Sequence, residues 1–166
     1  IMVSISSEIL PEIKEYERTS TTVINAYVQP PVSRYFLSME RDLKEMGMDL
    51  PVMVMQSNGG MMPSELARER PMHIIESGPA AGVTGCYHLA KKMGLNNVMT
   101  LDMGGTTAKA ALIEEGDISR SPEYEVGGAV SIGHRLMKGS GYLLRVTSID
   151  IAEVVDVGCS ICIIYT

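Results

Sequence analysis

The sequence predicts an α/β chain in which short apolar strands alternate with helices and lead into glycine-rich turns. Two strand–turn units carry this prediction: the apolar run at residues 51–55 precedes a polar glycine turn, and the run ending at Leu101 precedes a Gly-Gly turn. Between them, residues 77–93 follow a helical pattern that Gly94 closes. We therefore expect a mixed sheet with flanking helices.

A long helix is expected near the N-terminus, from about residue 20 to residue 46. Its apolar side chains recur at helical spacing, and Gly47 supplies the stop. Pro30 and Pro31 stand near the middle, and because proline lacks an amide hydrogen and clashes with the preceding turn, we expect a bend or break there. The hydroxyl-rich residues 18–22 are expected to precede this helix and cap it.

The second long helix is predicted over residues 77–93. Ser77 or Gly78 supplies its cap, and Pro79 suits its first turn. The remaining predicted elements are a short helix (residues 64–70), a short strand (residues 72–75) and a hairpin turn (residues 114–117).

The composition favours a globular domain over a nucleic-acid-binding or membrane protein. The chain has 166 residues, of which 45% are hydrophobic and 20% charged, and its net charge is −6. This charge argues against nucleic acid and anionic membrane as partners, and no stretch approaches the roughly 20 apolar residues of a membrane span. We expect a cytoplasmic location, and the three cysteines do not indicate a disulfide framework.

The turn after Leu101 has the residues that a nucleotide phosphate requires. Asp102 stands at the end of the strand, where it would hold Mg²⁺ or its waters, because a carboxylate repels polyphosphate directly. Gly104 and Gly105 lack the Cβ atoms that keep a phosphate away from backbone amides. Two further donors follow, the hydroxyls of Thr106 and Thr107. The alternative for the same residues is an ordinary hairpin with a Gly-Gly turn.

The turn after residue 55 is a second candidate site. It follows a strand that we expect to be buried, and ligands favour loops at the carboxyl ends of such strands. Gln56, Ser57 and Asn58 could hydrogen-bond an amide-bearing substrate or a phosphate, and Gly59 and Gly60 complete the turn. The alternative is a turn whose side chains cap their own backbone.

The order of these segments resembles the connecting helix and second phosphate loop of the ATPase superfamily that contains actin, sugar and acetate kinases and the heat-shock chaperones. Within this superfamily, the sequence most resembles the hydantoinase A and oxoprolinase family, and the Thr-Thr-Ala-Lys loop most resembles the N-methylhydantoinase branch. Five blocks in family order carry the resemblance: SEILPEI at 7–13, ERTSTTVINAY at 17–27, MQSNGG at 55–60, SGPAAG at 77–82 and DMGGTTAKA at 102–110.

The resemblance implies a partial actin-like (ribonuclease H-like) ATPase fold with incomplete lobes. Residues 1–76 would form the end of the first lobe, residues 77–94 the connecting helix, and residues 95–166 the start of the second lobe. The implied cofactors are ATP and Mg²⁺, with Asp102 as the catalytic, metal-orienting residue. The implied phosphate contacts are Gly104, Gly105, Thr106 and Thr107, and the implied cleft lining is Gln56, Ser57, Asn58, Gly59 and Gly60.

The implied activity belongs to an ATP-dependent hydrolase subunit that opens cyclic amides of the hydantoin, N-methylhydantoin or 5-oxoproline type. ATP would phosphorylate the ring carbonyl oxygen, and water would then attack the ring carbon. The family also implies a second hydantoinase-type subunit and an oligomer. Two alternatives stay open: a subunit of an acetone-type ketone carboxylase, which shares the same blocks, and a non-catalytic assembly domain of the same fold.

The chain departs from the family pattern near residue 155. Family members resemble one another there in a glycine-rich loop, whereas this chain carries Val155, Val157 and Cys159 at expected glycine positions. Because β-branched valine resists positive φ, nucleotide contact at this loop is in doubt. The family's first phosphate loop and base pocket do not occur in the sequence, so we interpret the chain as a fragment and expect no ATP hydrolysis by it alone.

Overall fold

The computed structural model of the chain describes residues 2–104, 107–127, 141–155 and 161–165, with side chains as far as residue 153. Its helices are α1 (Ser6–Ile9), α2 (Glu15–Glu45), α3 (Ser64–Glu69) and α4 (Ser77–Met93), and a 3-10 turn covers Pro71–Ile74. Its strands are β1 (Met53–Met55), β2 (Met61–Pro63), β3 (Val98–Met103), β4 (Thr107–Glu114), β5 (Asp117–Ile118), β6 (Arg120–Ser121), β7 (Tyr124–Val126), β8 (Tyr142–Leu144), β9 (Ser148–Ile149), β10 (Ile151–Val155) and β11 (Ile161–Tyr165).

The largest sheet in the described part of the chain has the order β10-β4-β3-β11, with β5 beside β4. Every pair of strands in it is antiparallel, so the mixed sheet expected from the sequence is wrong for these residues. The physical reason is the short connection between β3 and β4, which allows only a hairpin. The other described sheets are two-stranded and antiparallel as well.

Helix α4 covers one face of this sheet. Ala80 is fully buried, and Val83 and Ala90 lie on the same side of the helix. They pack against four buried side chains of the sheet, Val98, Ala111, Ile113 and Ile118, and against Ile149 of β9. The α/β prediction is therefore confirmed here, because a helix packs on a sheet through a face of small buried side chains.

Helix α2 is continuous through Pro30 and Pro31, so the expected break is wrong. It also begins at Glu15, earlier than predicted. The carbonyls that the two prolines deprive of a partner belong to Ala26 and Tyr27, which are exposed and can be hydrated. The helix ends at Glu45, one residue before the predicted end, and the predicted stop residue Gly47 follows with φ +83°.

The hydroxyl-rich residues 18–22 lie inside α2, so their predicted role as a cap before the helix is also wrong. Ser20 Oγ donates a hydrogen bond to the Leu143 carbonyl at 2.6 Å, and the Arg145 amide donates to Thr21 Oγ1 at 2.9 Å. Thr21 is fully buried. These hydroxyls tie the helix to β8 and the residue after it.

Two details around α4 differ from the predictions. Residues 71–74 form a 3-10 turn and not a strand, because Pro71 begins a helical turn. Apolar and polar side chains that alternate over only four residues fit a strand and a 3-10 turn equally well. The N-cap of α4 is Glu76, with no side-chain cap, in place of Ser77 or Gly78. The predicted C-terminal stop is confirmed, since Gly94 has φ +73°.

The shorter predicted elements have mixed outcomes. Helix α3 is confirmed, and so is the hairpin turn between β4 and β5, where Glu115 and Gly116 both have positive φ as a type I′ turn requires. Strand β1 forms and, among the described strands, pairs with β2 alone. Met53 is 48% exposed, so β1 is not the buried strand expected. Within the described ranges, no helix is long and apolar enough to cross a membrane.

Candidate functional site

Asp102 lies one residue before the end of β3, and its side chain is exposed. The Gly104 amide donates to the Thr107 carbonyl at 2.8 Å, which closes the turn between β3 and β4. Among the described residues, the nearest atom to a Cβ placed on Gly104 would be the Thr107 carbonyl oxygen at 3.8 Å, so no described atom crowds this glycine. Gly105 and Thr106 lie outside the described residues.

Three charged residues stand in a row across the sheet next to this turn. Lys109 on β4 is the register partner of Asp102 on β3 and of Glu153 on β10, so the three side chains share one face. Lys109 Nζ lies 3.2 Å from Glu153 Oε1 and 2.9 Å from Glu76 Oε2, at the start of α4. Burial lowers the pKa of Lys109. The hydrogen bonds that Lys109 makes to Glu76 and Glu153, together with their negative charges, raise the pKa by more, so that it lies above its ordinary value.

Sequence reasoning missed Lys109, Glu76 and Glu153 as members of this region. A signal for one of them was present, because a hairpin between the strand ending near Asp102 and the strand that follows the Gly-Gly segment can pair Lys109 with Asp102. Glu76 and Glu153 join only through the packing of α4 and β10 on that hairpin, which spacing along the chain does not reveal.

Ser57 fixes the second candidate loop to its surroundings. Its amide donates to the His73 carbonyl at 2.7 Å, and its carbonyl accepts from the Ile149 amide at 2.8 Å. Its hydroxyl accepts from the Glu76 amide at 3.1 Å. Ser57 is 1% exposed, so it acts as a buried anchor.

The other polar side chains of this loop bond within the loop. The Gly60 amide donates to Asn58 Oδ1 at 2.7 Å, Asn58 Nδ2 donates to Gln56 Oε1 at 3.3 Å, and Gln56 Nε2 donates to the Met61 carbonyl at 3.1 Å. This is the arrangement of a turn that caps its own backbone, the alternative weighed above. A role for residues 56–60 in lining a cleft stays a prediction.

Gly59 needs to be glycine for two reasons. Its φ is +85°, and a Cβ there would lie 2.9 Å from Thr84 Oγ1 and 3.2 Å from Ile149 Cδ1. The loop therefore packs directly against α4 and β9.

Tyr124 on β7 places a buried hydroxyl beside these anchors. Burial raises the pKa of the Tyr124 hydroxyl, the nearby Ser57 side chain lowers it in part, and the charge of Glu76 raises it further. That hydroxyl makes no hydrogen bond of ordinary geometry with any described residue. A buried donor of this kind usually has a partner, often water.

The described side chains contain no group of three or more that would hold a metal ion. A carboxylate such as Asp102 nevertheless fits Mg²⁺, which keeps several of its waters and is often bound through one or two carboxylates and the substrate's phosphates. The donor set thus suits a magnesium ion that arrives with a nucleotide better than a resident metal.

Helix α4 begins at the same edge of the sheet as the turn after Asp102. Glu76, directly before the helix, contacts Lys109 near the start of β4, whereas Gly94, directly after it, leads back to the start of β3. The first turn of a helix presents free amides and a partial positive charge.

Comparison with known proteins identifies relatives over almost the whole chain. The chain is 52% identical over 149 residues to an uncharacterized protein of Methanocaldococcus jannaschii, covering 90% of the chain and 22% of that protein. It is 34% identical over 159 residues to caprolactamase subunit alpha of Pseudomonas jessenii, covering 93% of the chain and 23% of the subunit. The chain therefore spans under a quarter of the length of these relatives.

Two solved structures resemble the fold. The crystal structure of ATP-dependent caprolactamase from Pseudomonas jessenii matches with a TM-score of 0.66 and 33% identity, over 90% of this chain and 20% of that one. A nucleotide-free structure of acetone carboxylase matches with a TM-score of 0.65 and 26% identity, over 90% of this chain and 19% of that one. The model of the Hydantoinase/oxoprolinase family matches residues 18–166, and the chain belongs to that family.

Proposed function

We propose that this chain is part of an ATP-dependent enzyme that opens cyclic amides, with the turn after Asp102 as its second phosphate loop. Family membership supports the reaction class, and the similarity to caprolactamase subunit alpha supports a cyclic amide as substrate. The observation that carries the site is the exposed carboxylate of Asp102 at the end of β3, beside an open glycine turn.

In this proposal, Asp102 orients Mg²⁺ through its carboxylate or through a metal-bound water. The amides of Gly104 and Gly105 and the hydroxyls of Thr106 and Thr107 hold phosphate oxygens. Bound Mg-ATP supplies the phosphoryl group and neutralises charge on it. The loop at residues 56–60 borders the cleft in which the ring lies.

The chemistry removes the resonance that makes an amide resistant to water. The amide carbonyl oxygen attacks the γ-phosphorus of ATP, the bond to ADP breaks, and the ring carbon becomes a centre that water attacks. After water adds to the ring carbon, the carbon–nitrogen bond breaks as the nitrogen takes a proton, which leaves an acyl phosphate. A second water then releases inorganic phosphate and the ring-opened acid. The protein contributes position and electrostatic stabilisation, which are the main terms in phosphoryl transfer.

The wider fold belongs to the same proposal. We assign residues 1–76, 77–94 and 95–166 to the end of one lobe, a connecting helix and the start of a second lobe of an actin-like ATPase. Helix α4 packs on the sheet formed by β3, β4 and β10, which supports this division. ATP lies between two lobes in such a fold, so we expect the 166-residue chain by itself to have no ATPase activity.

A ketone carboxylase is the second candidate. The acetone carboxylase structure matches this chain with nearly the same TM-score as caprolactamase does. Such an enzyme would keep the phosphate loop and change the acceptor, and its partner subunits would differ. A non-catalytic assembly role stands as the third candidate.

ATP hydrolysis by the intact protein, assembled with any partner subunit, separates the candidates. We would compare caprolactam, hydantoin, N-methylhydantoin, 5-oxoproline, and acetone with bicarbonate. Stimulation by one cyclic amide supports the proposal, stimulation by acetone with bicarbonate supports the carboxylase, and stimulation by none favours the assembly role. Asp102→Asn should abolish the stimulation, whereas Asp49→Asn, the same change at an exposed carboxylate in the α2–β1 connection, should not.

A further inference from the structure

We infer that the Lys109–Glu76 ion pair is a positioning device that sets the start of β4, beside the proposed phosphate turn, relative to the loop at residues 56–60. This inference rests on the proposed function, because it gives the two loops their roles. Neither Lys109 nor Glu76 is assigned contact with a substrate.

The first link is between the turn and the start of α4. Lys109 is the third residue of β4, two residues after Thr107, whose carbonyl accepts the hydrogen bond from the Gly104 amide. Its ammonium lies 2.9 Å from Glu76 Oε2, and both side chains are largely shielded, with 16% and 27% exposed. A charge-assisted hydrogen bond at this distance is among the stronger polar contacts in proteins.

The second link is between the start of α4 and the other loop. The backbone amide of Glu76 donates to Ser57 Oγ at 3.1 Å, and Ser57 is anchored again through the His73 carbonyl and the Ile149 amide. Glu76 therefore bonds the turn with its side chain and the loop with its backbone. One residue joins the two candidate sites.

Lys109 also has a second carboxylate partner that offers a matched comparison. Glu153 lies 3.2 Å from the same ammonium, but it stands on β10, which is already paired with β4 along five residue pairs. Its ion pair therefore joins strands that the ladder holds in register. Loss of Glu153 should affect stability, whereas loss of Glu76 should also release the turn from the loop.

The experiment compares Glu76→Gln with Glu153→Gln in the intact enzyme. Each change removes one negative charge next to Lys109 and keeps the shape of the side chain. The readout is the number of ATP molecules hydrolysed for each ring opened. This ratio does not depend on the fraction of protein that is folded, so a merely structural role would leave it unchanged.

We expect Glu76→Gln at least to double the ATP hydrolysed per ring opened, because a misplaced phosphoryl group is lost to water. Glu153→Gln should keep the ratio of the unchanged enzyme. The inference is overturned if both variants keep that ratio, or if both raise it equally.

A second readout does not need activity. In the 166-residue chain, amide hydrogen exchange at residues 56–60 and at Glu76 should be faster in Glu76→Gln than in Glu153→Gln. Equal exchange in the two variants would overturn the coupling even if the enzyme opens cyclic amides. Faster exchange in Glu76→Gln with no activity on any amide would instead support the coupling and remove the proposed function.

Discussion

Asp102 and Lys109 are direct partners across the β3–β4 ladder, yet the Lys109 ammonium lies against Glu76 and Glu153. Opposite charges in such a cross-strand pair usually attract each other. Here two other carboxylates hold the ammonium, and the Asp102 carboxylate is exposed at the end of its strand. The sheet therefore presents a carboxylate beside the turn without using it in any ion pair among the described residues.

Removing this carboxylate should leave the fold intact. We expect Asp102→Asn to change the free energy of unfolding by no more than about 0.5 kcal/mol, as for an ordinary surface substitution. Urea denaturation of the chain measures this. A loss of several times that size would mean that Asp102 stabilises the hairpin, and its activity effects would then have a structural explanation.

Gly59 and Gly82 should respond in opposite directions to alanine. Gly59→Ala places a Cβ at positive φ and 2.9 Å from Thr84 Oγ1, so we expect a loss of about 1 to 3 kcal/mol. Gly82 lies inside α4 with open space around it, so Gly82→Ala should gain about 0.5 to 1 kcal/mol. Thermal denaturation compares the two, and equal effects would contradict the packing of this loop on α4.

His73 should make the chain sensitive to acid. Burial, and next the charge of Arg70, lower the pKa of His73 below its ordinary value near 6.5. The unfolded chain therefore binds the proton more readily, and the stabilising contribution is complete above about pH 6.5 and lost as the pH falls below it. We expect His73→Gln to reduce the drop in the free energy of unfolding between about pH 7.5 and 5.5.

The control for His73 is the exposed His88. His88→Gln removes an exposed imidazole in place of a buried one, and we expect it to change the same drop less than His73→Gln does. Identical pH profiles for the His73→Gln variant and the unchanged chain would contradict the burial of His73.

Asn25 should be one of the costliest polar side chains to remove. It is fully buried on α2, and its Nδ2 donates to Ser4 Oγ and to the Glu69 carbonyl at 3.0 and 3.2 Å. Its Oδ1 accepts from the Met72 amide at 3.4 Å. Asn25→Ala removes all three of these hydrogen bonds from a fully buried position, and we expect a loss of at least about 2 kcal/mol in urea denaturation.

Asn97 provides the comparison for Asn25. Its Oδ1 accepts from the exposed Glu115 amide, which water can satisfy after the substitution. Asn97→Ala should therefore cost less than about 1 kcal/mol. Equal costs at the two positions would show that the contacts of Asn25 contribute little.

Local signals in the sequence predicted several elements well. Gly94 marks the end of α4 because a positive φ favours glycine, and the strand ending near Asp102 returns as β4 after a glycine turn. These features depend on neighbouring residues alone. The family resemblance, carried by five short blocks, was confirmed by the match over residues 18–166.

The errors arose where distant contacts decide the structure. The Pro30–Pro31 pair is a strong local signal for a break. Helix α2 nevertheless has buried residues on both sides of the prolines, including Asn25 and Phe36, and their packing holds the helix in place. Hydroxyls at Ser20 and Thr21 resembled a cap, yet their partners lie more than 120 residues away on and after β8. No local pattern identifies such partners.

The same limit applies to the candidate site. Asp102 and the glycine turn were predicted from spacing, whereas Glu76 joined them only when α4 packed on the sheet. Gln56 and Asn58 were predicted as possible ligand contacts, but their hydrogen bonds within the loop depend on the fold of that loop. The sequence thus predicted where these two turns lie, but it did not reveal which of their side chains already have hydrogen-bond partners.

Binding of Mg-ATP to the intact protein tests the central claim most directly. Isothermal titration would compare the unchanged protein with Asp102→Asn and with the control Asp49→Asn. We predict that Asp102→Asn weakens magnesium-dependent ATP binding by at least tenfold, about 1.4 kcal/mol, while the control keeps the original affinity. A folded Asp102→Asn protein that binds Mg-ATP as tightly as the unchanged protein would contradict the assignment of this turn as the phosphate loop.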